Sequence, residues 1–243
     1  TTPMEAVKTN ILGVSSVIDA ALECDVEQVI NTSTDKAVNP FSVMGASKLM
    51  GEQLIRAANL ASGSTRFSST RFGNVLGSSG SVVPVFRRQL EQGQPVTITS
   101  TEMTRFVMTL DEAAGLVLES VGLAKGGETF ITKMKTIRVE DLATIMIQKH
   151  LNIHDPELAR EHMVEIGPRP GEKFYEELMC PEEVRRCEEL AKYFVIYPAM
   201  TDVYSSKNIH GHLSGVEQPY NSATQQPMTA KALLNYLEKS RLL

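Results

Sequence analysis

The sequence predicts an α/β fold built on a parallel sheet, and three observations carry that expectation. Short β-prone runs alternate with amphipathic helical patterns along the 243 residues. Hydrophobic residues make up 42% of the chain and charged ones 22%, the balance of an ordinary globular protein with a core of its own. The third observation is local: hydroxyl and charged side chains gather directly after a strand pattern, where open α/β sheets place their chemistry. That stretch is Asn31 to Lys48, NTSTDKAVNPFSVMGASK. Gln28-Val29-Ile30 leads in as a strand, Ser33-Thr34-Asp35-Lys36 sits at its end, Asn39-Pro40 marks a turn and a helix begins at Val43. Met44 and Lys48 are four residues apart, so a helix carries both on one face, turned back toward the strand end.

The remaining elements follow in order. Residues 4–23 read as an amphipathic helix, with Val7, Ile11, Val14, Ile18, Ala21 and Leu22 near the 3.6-residue period. The helix from Val43 runs to about Leu60, and Gly63-Ser64 breaks it. Arg66–Phe72 is a strand leading into the Gly/Ser-rich turn Gly73–Ser81, whose small residues let backbone amides approach a ligand. Val82–Gln92 is a helix stopped by Gly93-Gln94-Pro95, and Val96–Thr99 alternates as a strand. Glu102–Phe106 reads as a loop carrying Arg105. Thr109-Leu110-Asp111-Glu112 has capping-box spacing and opens a helix to about Ala124. Glu128–Ile131 is a strand, Val139–His150 a helix, and the charged run from Cys180 to Lys192 is expected to be helical. Tyr193–Tyr197 is a strand, and a final helix starts at Met228 with Leu233, Leu234 and Leu237 on one side.

Composition excludes several classes. A net charge of −5 with dispersed arginines and lysines leaves no basic footprint for nucleic acid. No apolar run approaches the roughly 20 residues of a membrane helix, so a soluble chain without a membrane segment is expected. Cys24, Cys180 and Cys187 are few, odd in number and without metal spacing, which suits buried or incidental thiols in a reducing compartment. His150, His154, His162 and the pair His210 and His212 match no ligand pattern, and no metal is expected. No signal peptide opens the chain. Thr1 is not an initiator methionine, so the natural amino terminus is expected upstream.

Several motifs, in order, resemble the extended short-chain dehydrogenases, and within them the nucleotide-sugar 4,6-dehydratases of the polysaccharide biosynthesis family. Lys8-Thr9-Asn10 is the first. In Thr34-Asp35-Lys36, the position ten residues after the threonine is that of the tyrosine in Tyr-x-x-x-Lys. Here it holds Met44, with Lys48 at the lysine, which resembles a Met-for-Tyr branch of the family. Arg71-x-Gly73-Asn74-Val75-x-Gly77 is similar to the family's strand-to-loop motif beside the nicotinamide and nucleotide sugar. Met103-Thr104-Arg105-Phe106 and Arg169-Pro170-Gly171-Glu172-Lys173 complete the set.

The resemblance implies a partial Rossmann-like parallel sheet with a smaller α/β substrate-binding region. Residues 1–80 would be the remaining part of a dinucleotide-binding domain, and 81–243 mainly the substrate-binding region, with some segments returning to the sheet. No G-x-G-x-x-G turn is present, and the spacing of Gly73, Gly77 and Gly80 does not supply one. The chain therefore resembles a member lacking its first three or so β-α units. By the same resemblance the cofactor is NAD, with NADP the second choice, and the reaction is 4,6-dehydration of a nucleotide-activated amino sugar, UDP-N-acetylglucosamine, to a 4-keto-6-deoxy sugar. The implied roles are Lys36 as base at C5, Asp35 as acid at the C6 hydroxyl, Thr34 as donor to the C4 oxygen, and Met44 at the tyrosine position. Lys48 would hold the nicotinamide ribose, with Gly73 and Val75 on the cofactor side. Asn10, Asn74, Arg105, Arg169 and Glu172 fall to the substrate, Asn10 through structural hydrogen bonds close to the site. The arginines suit phosphate because a guanidinium donates two parallel hydrogen bonds. A cytoplasmic homo-oligomer is expected. Two other readings stay open: a nucleotide-sugar epimerase, and a catalytically silent nucleotide-sugar-binding fragment.

Overall fold

A computed structural model describes residues 2–78, 80–168, 171–199 and 216–243; Arg169, His210 and His212 lie outside them. The chain opens with α1 (Pro3–Val7), a π-helical turn (Lys8–Leu12) and α2 (Gly13–Glu23), followed by β1 (Gln28–Thr34) and a 3-10 turn (Asp35–Ala37). Next come α3 (Val43–Ala61), β2 (Arg66–Phe72), β3 (Asn74–Val75), α4 (Val82–Glu91), β4 (Val96–Ile98), β5 (Thr104–Met108) and α5 (Leu110–Leu123). The second half holds β6 (Thr129–Thr132), β7 (Lys135–Arg138), α6 (Val139–Leu151), α7 (Pro156–Arg160) and β8 (Met163–Glu165). It ends with α8 (Pro181–Val184), β9 (Cys187–Glu189), β10 (Tyr193–Ile196) and α9 (Ala230–Lys239). Two compact units divide these elements: Thr1–Phe72, Ala114–Lys133 and Glu177–Tyr220 form the first; Gly73–Ala113, Met134–Glu176 and Asn221–Leu243 form the second.

The first unit is a five-stranded sheet in the order β1-β2-β6-β10-β9. β1, β2 and β6 run parallel, while β10 is antiparallel to both β6 and β9. The helix α3 supplies the crossover that a parallel β1-β2 pair requires. Ile18 and Ala21 of α2 pack with Ile55 and Ala58 of α3 and with Phe67 of β2. The outer side of the first helical stretch keeps Met4, Leu12 and Val17 exposed.

β2 is buried along most of its length although it reads Ser68-Ser69-Thr70-Arg71, and Arg71 explains how one of these polar residues is accommodated. Its guanidinium donates to Glu52 Oε1 at 3.1 Å and Oε2 at 2.6 Å, to both oxygens of Glu183 at 3.0 Å, and to the Leu178 carbonyl at 2.8 Å. Two bidentate carboxylates thus meet one cation that is 1% exposed. Burial alone would raise the Glu183 carboxyl's pKa, but the Arg71 charge and hydrogen bonds outweigh it and hold the group below the usual carboxylate range.

The second unit is built around α6, whose Val139, Leu142, Ala143, Thr144, Ile145, Met146 and Ile147 are all buried. Around it pack Val83, Phe86 and Leu90 of α4, Val96 and Ile98 of β4, and Leu233 and Leu237 of α9. A three-stranded sheet β3-β5-β7 and the parallel pair β4-β8 complete the unit.

Two sequence expectations change. Residues 180–192 are not one helix: only Pro181–Val184 is helical, and Cys187–Glu189 pairs antiparallel with β10. The charged pattern that suggests a helix is overruled by a sheet edge that takes the segment as a strand. Arg105 stands on strand β5 between β3 and β7, not in a loop. Cys24 is exposed, whereas Cys187 is buried. The thiols of all three are free.

Candidate active site

At the carboxyl end of β1 the chain turns sharply into the 3-10 turn, and Thr34 caps that turn by accepting from the Lys36 N–H. The Thr34 hydroxyl donates to Asp35 Oδ1 at 2.6 Å. Lys36 Nζ lies 3.0 and 3.2 Å from the two Asp35 oxygens. The Asp35 side chain is only 1% exposed while that of Lys36 is 44% exposed, so the carboxylate is held inside and the amine reaches outward over it. An acid, a base and a hydroxyl are therefore in direct contact at the place where parallel sheets put reactive groups.

Gly45 seats the next helix on this turn. A Cβ there would sit 2.1 Å from the Lys36 carbonyl oxygen, so only glycine lets the first turn of α3 come this close. Ser42 caps α3 by accepting from the Gly45 N–H at 3.1 Å. Asn39, with a left-handed φ of 45°, closes the intervening loop and donates from Nδ2 to both Glu177 oxygens at 3.3 Å. In the sequence Gly45 gives no sign of this duty, because only the approach of another backbone defines it.

Met44 and Lys48 follow on α3. Lys48 Nζ donates to the Thr32 carbonyl at 3.1 Å, which brings its ammonium back to β1. Burial pushes the Lys48 ammonium below the ordinary lysine value, against the opposing pull of Glu52 one turn further on. Between them Ser47 donates to the Met44 carbonyl at 2.9 Å and accepts from Asn10 Nδ2 at 3.0 Å. Asn10 lies in the π-helical turn, and a Cβ on Gly51 would come within 3.1 Å of its carbonyl oxygen. The extra residue of a π-turn thus presents Asn10 to α3, a common use of such turns at functional sites. The 3.6-residue period of residues 4–23 conceals it.

The other candidates belong to the second unit. Gly73 permits the close approach of β5: a Cβ there would meet Phe106 Cβ at 2.8 Å. Asn74 Nδ2 donates to the two oxygens of Glu176 at 2.8 and 2.7 Å and to the Phe106 carbonyl at 3.0 Å, while Val75 beside it pairs with Met108. Arg105 donates to the carbonyls of Thr104 and Lys173 at 2.8 Å and of Phe174 at 3.1 Å. It also lies 3.3 Å from Glu176 and 3.7 Å from Glu172, and Glu172 accepts from the Thr99 hydroxyl at 3.2 Å. Arg105 and Glu172 are thus brought together, with the guanidinium holding the main chain after Gly171-Glu172. Glu176 was not legible in the sequence; nothing but its contacts distinguishes it from its neighbour Glu177.

Lys48, partly buried and anchored at the end of β1, is a donor suited to ribose hydroxyls. Among the described residues no group of three or more His, Cys, Asp or Glu side chains gathers as a metal site, and no helix is long and apolar enough to cross a membrane.

The parallel strands, with Thr34, Asp35 and Lys36 at the end of β1 and Lys48 in the helix that follows, form a Rossmann-like α/β scaffold. The chain belongs to the family described as polysaccharide biosynthesis protein, which matches residues 1–198. An uncharacterized membrane protein of Methanocaldococcus jannaschii is 46% identical over 85% of this chain and 65% of its own length. A UDP-N-acetylglucosamine 4,6-dehydratase (inverting) of Campylobacter jejuni is 41% identical over 82% of this chain and 57% of its own. A UDP-glucose 4-epimerase of Rickettsia rickettsii is 40% identical over 80% and 55%. The chain therefore spans between 55% and 65% of the length of these three relatives. The X-ray structure of Pen from Bacillus thuringiensis superposes with a TM-score of 0.86 at 39% identity, covering 99% of this chain and 70% of that one. A dTDP-glucose 4,6-dehydratase double mutant from Streptomyces venezuelae, with NAD and DAU bound, shares the fold at a TM-score of 0.58 and 18% identity, over 69% of this chain and 56% of that one.

Proposed function

We propose that this chain is the substrate-handling part of an NAD-dependent nucleotide-sugar 4,6-dehydratase acting on UDP-N-acetylglucosamine in cytoplasmic polysaccharide or glycan synthesis. The observation that carries the reading is the contact between Lys36 and Asp35 at 3.0 Å. Dehydratase and epimerase relatives are almost equally similar, at 41% and 40% identity, so likeness does not decide between them. The chemistry does. A simple C4 epimerase has no use for an acid and a base side by side, whereas eliminating water across C5 and C6 needs both.

The pair reaches its working form by moving one proton. Transfer from Lys36 Nζ to the Asp35 carboxylate gives a neutral amine and a carboxylic acid, the base and the acid of the elimination. A bound substrate that covers the exposed Lys36 excludes water and favours this neutral form, since dehydrating an ion pair costs several kcal/mol per ion. Lys36 then takes the C5 proton, the C6–O bond breaks, and the Asp35 proton leaves with the hydroxyl as water. NAD, when bound, would supply the hydride acceptor at C4 and the hydride donor at C6. Lys48 is proposed to hold the ribose of that cofactor, with Gly73 and Val75 as its further neighbours. Asn10 supports α3, and Asn74, Arg105, Arg169 and Glu172 are assigned to the nucleotide sugar.

Mass spectrometry of the product made by the full-length protein from UDP-N-acetylglucosamine and NAD tests the reading. Loss of one water is expected. An unchanged mass with an inverted C4 centre means an epimerase, and binding without turnover means a silent binder.

A further inference from the structure

We infer that Glu176 is a positioning residue that fixes which end of the Asn74 amide meets the substrate. The inference rests on the proposed nucleotide-sugar reading and adds a residue to it. Glu176 is 5% exposed, and its place is set twice. Its main chain exchanges hydrogen bonds with Ser222, Glu176 N–H to Ser222 Oγ at 2.9 Å and Ser222 N–H to the Glu176 carbonyl at 2.8 Å. Ser222 is fully buried and its hydroxyl lies 2.9 Å from Thr104 Oγ1 on β5. The carboxylate then accepts from Phe106 N–H at 3.2 Å and faces Arg105 Nε at 3.3 Å.

This arrangement removes the ambiguity of an amide side chain. Asn74 has one donating and one accepting end, and its two neighbours here are a carboxylate and a main-chain carbonyl. A carboxylate facing a guanidinium only accepts, and so does a carbonyl. Both amide hydrogens of Asn74 are therefore committed to Glu176 and Phe106, and Oδ1 is left as the end that a ligand can meet. Asn74 then selects a substrate group that donates, a sugar hydroxyl or an acetamido N–H, and discriminates against one that only accepts. Arg105 shares the same carboxylate, so loss of charge at Glu176 loosens the Lys173-Phe174 main chain as well.

Calorimetric titration of the full-length protein with UDP-N-acetylglucosamine tests this, using Glu176→Gln, Asn74→Ala and the double variant, with thermal melting of each as a check on folding. Glutamine keeps the shape but can donate, which lets Asn74 turn over. Glu176→Gln is expected to weaken binding about tenfold or more, the worth of a hydrogen bond to a charged group. Glu176→Asp, still an acceptor-only carboxylate, is expected to stay within about threefold of wild type, since hydrogen bonds to an ionised acceptor persist. The double variant is expected to lose less than the sum of the two single losses, because the two share one contact. Wild-type affinity in Glu176→Gln, or additive losses in the double variant, overturns the inference while leaving the nucleotide-sugar reading intact. Absence of binding by the wild-type protein overturns both.

Discussion

In the proposed dehydratase reading, Met44 stands where a tyrosine would take the proton of the sugar hydroxyl at C4, and a thioether cannot accept that proton at any working pH. The cluster's own hydroxyl is that of Thr34, donating to Asp35 at 2.6 Å. With Asp35 already protonated by Lys36 in the proposed reaction, a proton arriving at Thr34 Oγ1 from the C4 hydroxyl is passed on to water. The role proposed for Met44 is then packing, and that of Thr34 is relay. Thr34→Val, nearly the same shape, is expected to lower kcat by about 10²-fold or more, the usual contribution of a general acid–base step, with KM for the nucleotide sugar little changed. Steady-state kinetics of the full-length protein checks it, and an unchanged kcat would remove Thr34 from the proton path. The clustering of Thr34, Asp35 and Lys36 was legible because three consecutive polar residues end a strand pattern. Gly45, Ser47 and Glu176 were not, because each is defined by a partner far away in sequence: the Lys36 carbonyl, Asn10 and Asn74.

At the scale of elements, α3 and β2 are joined by the ion pair of Glu52 and Arg71, and Glu183 at α8 completes the cluster. Removing one partner leaves a buried charge uncompensated, so Arg71→Met is expected to cost about 3–5 kcal/mol of unfolding free energy. Urea denaturation measures it. The same cluster gives an acid sensitivity with a defined sign. The Glu183 pKa is lowered in the folded state by Arg71, so its contribution is fully present above the unfolded carboxyl value of about 4.3 and is lost as pH falls through the folded value. Glu183→Gln should flatten the stability profile in that acid range; a profile as steep as that of wild type would show that another carboxylate governs it. Elements with strong periodicity, such as α3 and α4, were legible almost to their ends. The segment 187–189 was not, because three charged or small residues become a strand only when β10 lies beside them. β5 was hidden for a related reason: Thr104-Arg105-Phe106 reads as polar loop until pairing with β3 and β7 hides its backbone.

For the whole molecule, the sequence made the parallel sheet plain, since β1, α3 and β2 appear as strand, helix and strand with turn residues between. That some later segments return to the sheet was expected from the family resemblance, but which ones, residues 129–132 and 193–196, was not readable, because which strand joins which sheet depends on long-range pairing. Two units result, one carrying the Thr34-Asp35-Lys36 cluster and the other the Asn74, Arg105 and Glu172 group. The central claim is that Lys36 is the base of an elimination, and solvent isotope exchange addresses it without relying on product identity. The full-length protein is incubated with NAD and UDP-N-acetylglucosamine in deuterated water, and deuterium at C5 is followed by NMR for wild type and Lys36→Ala. Wild type is predicted to place solvent deuterium at C5, and Lys36→Ala to lose that exchange by about 10²–10⁴-fold while still binding the nucleotide sugar. Normal exchange in Lys36→Ala, or none in an active wild type, would contradict it.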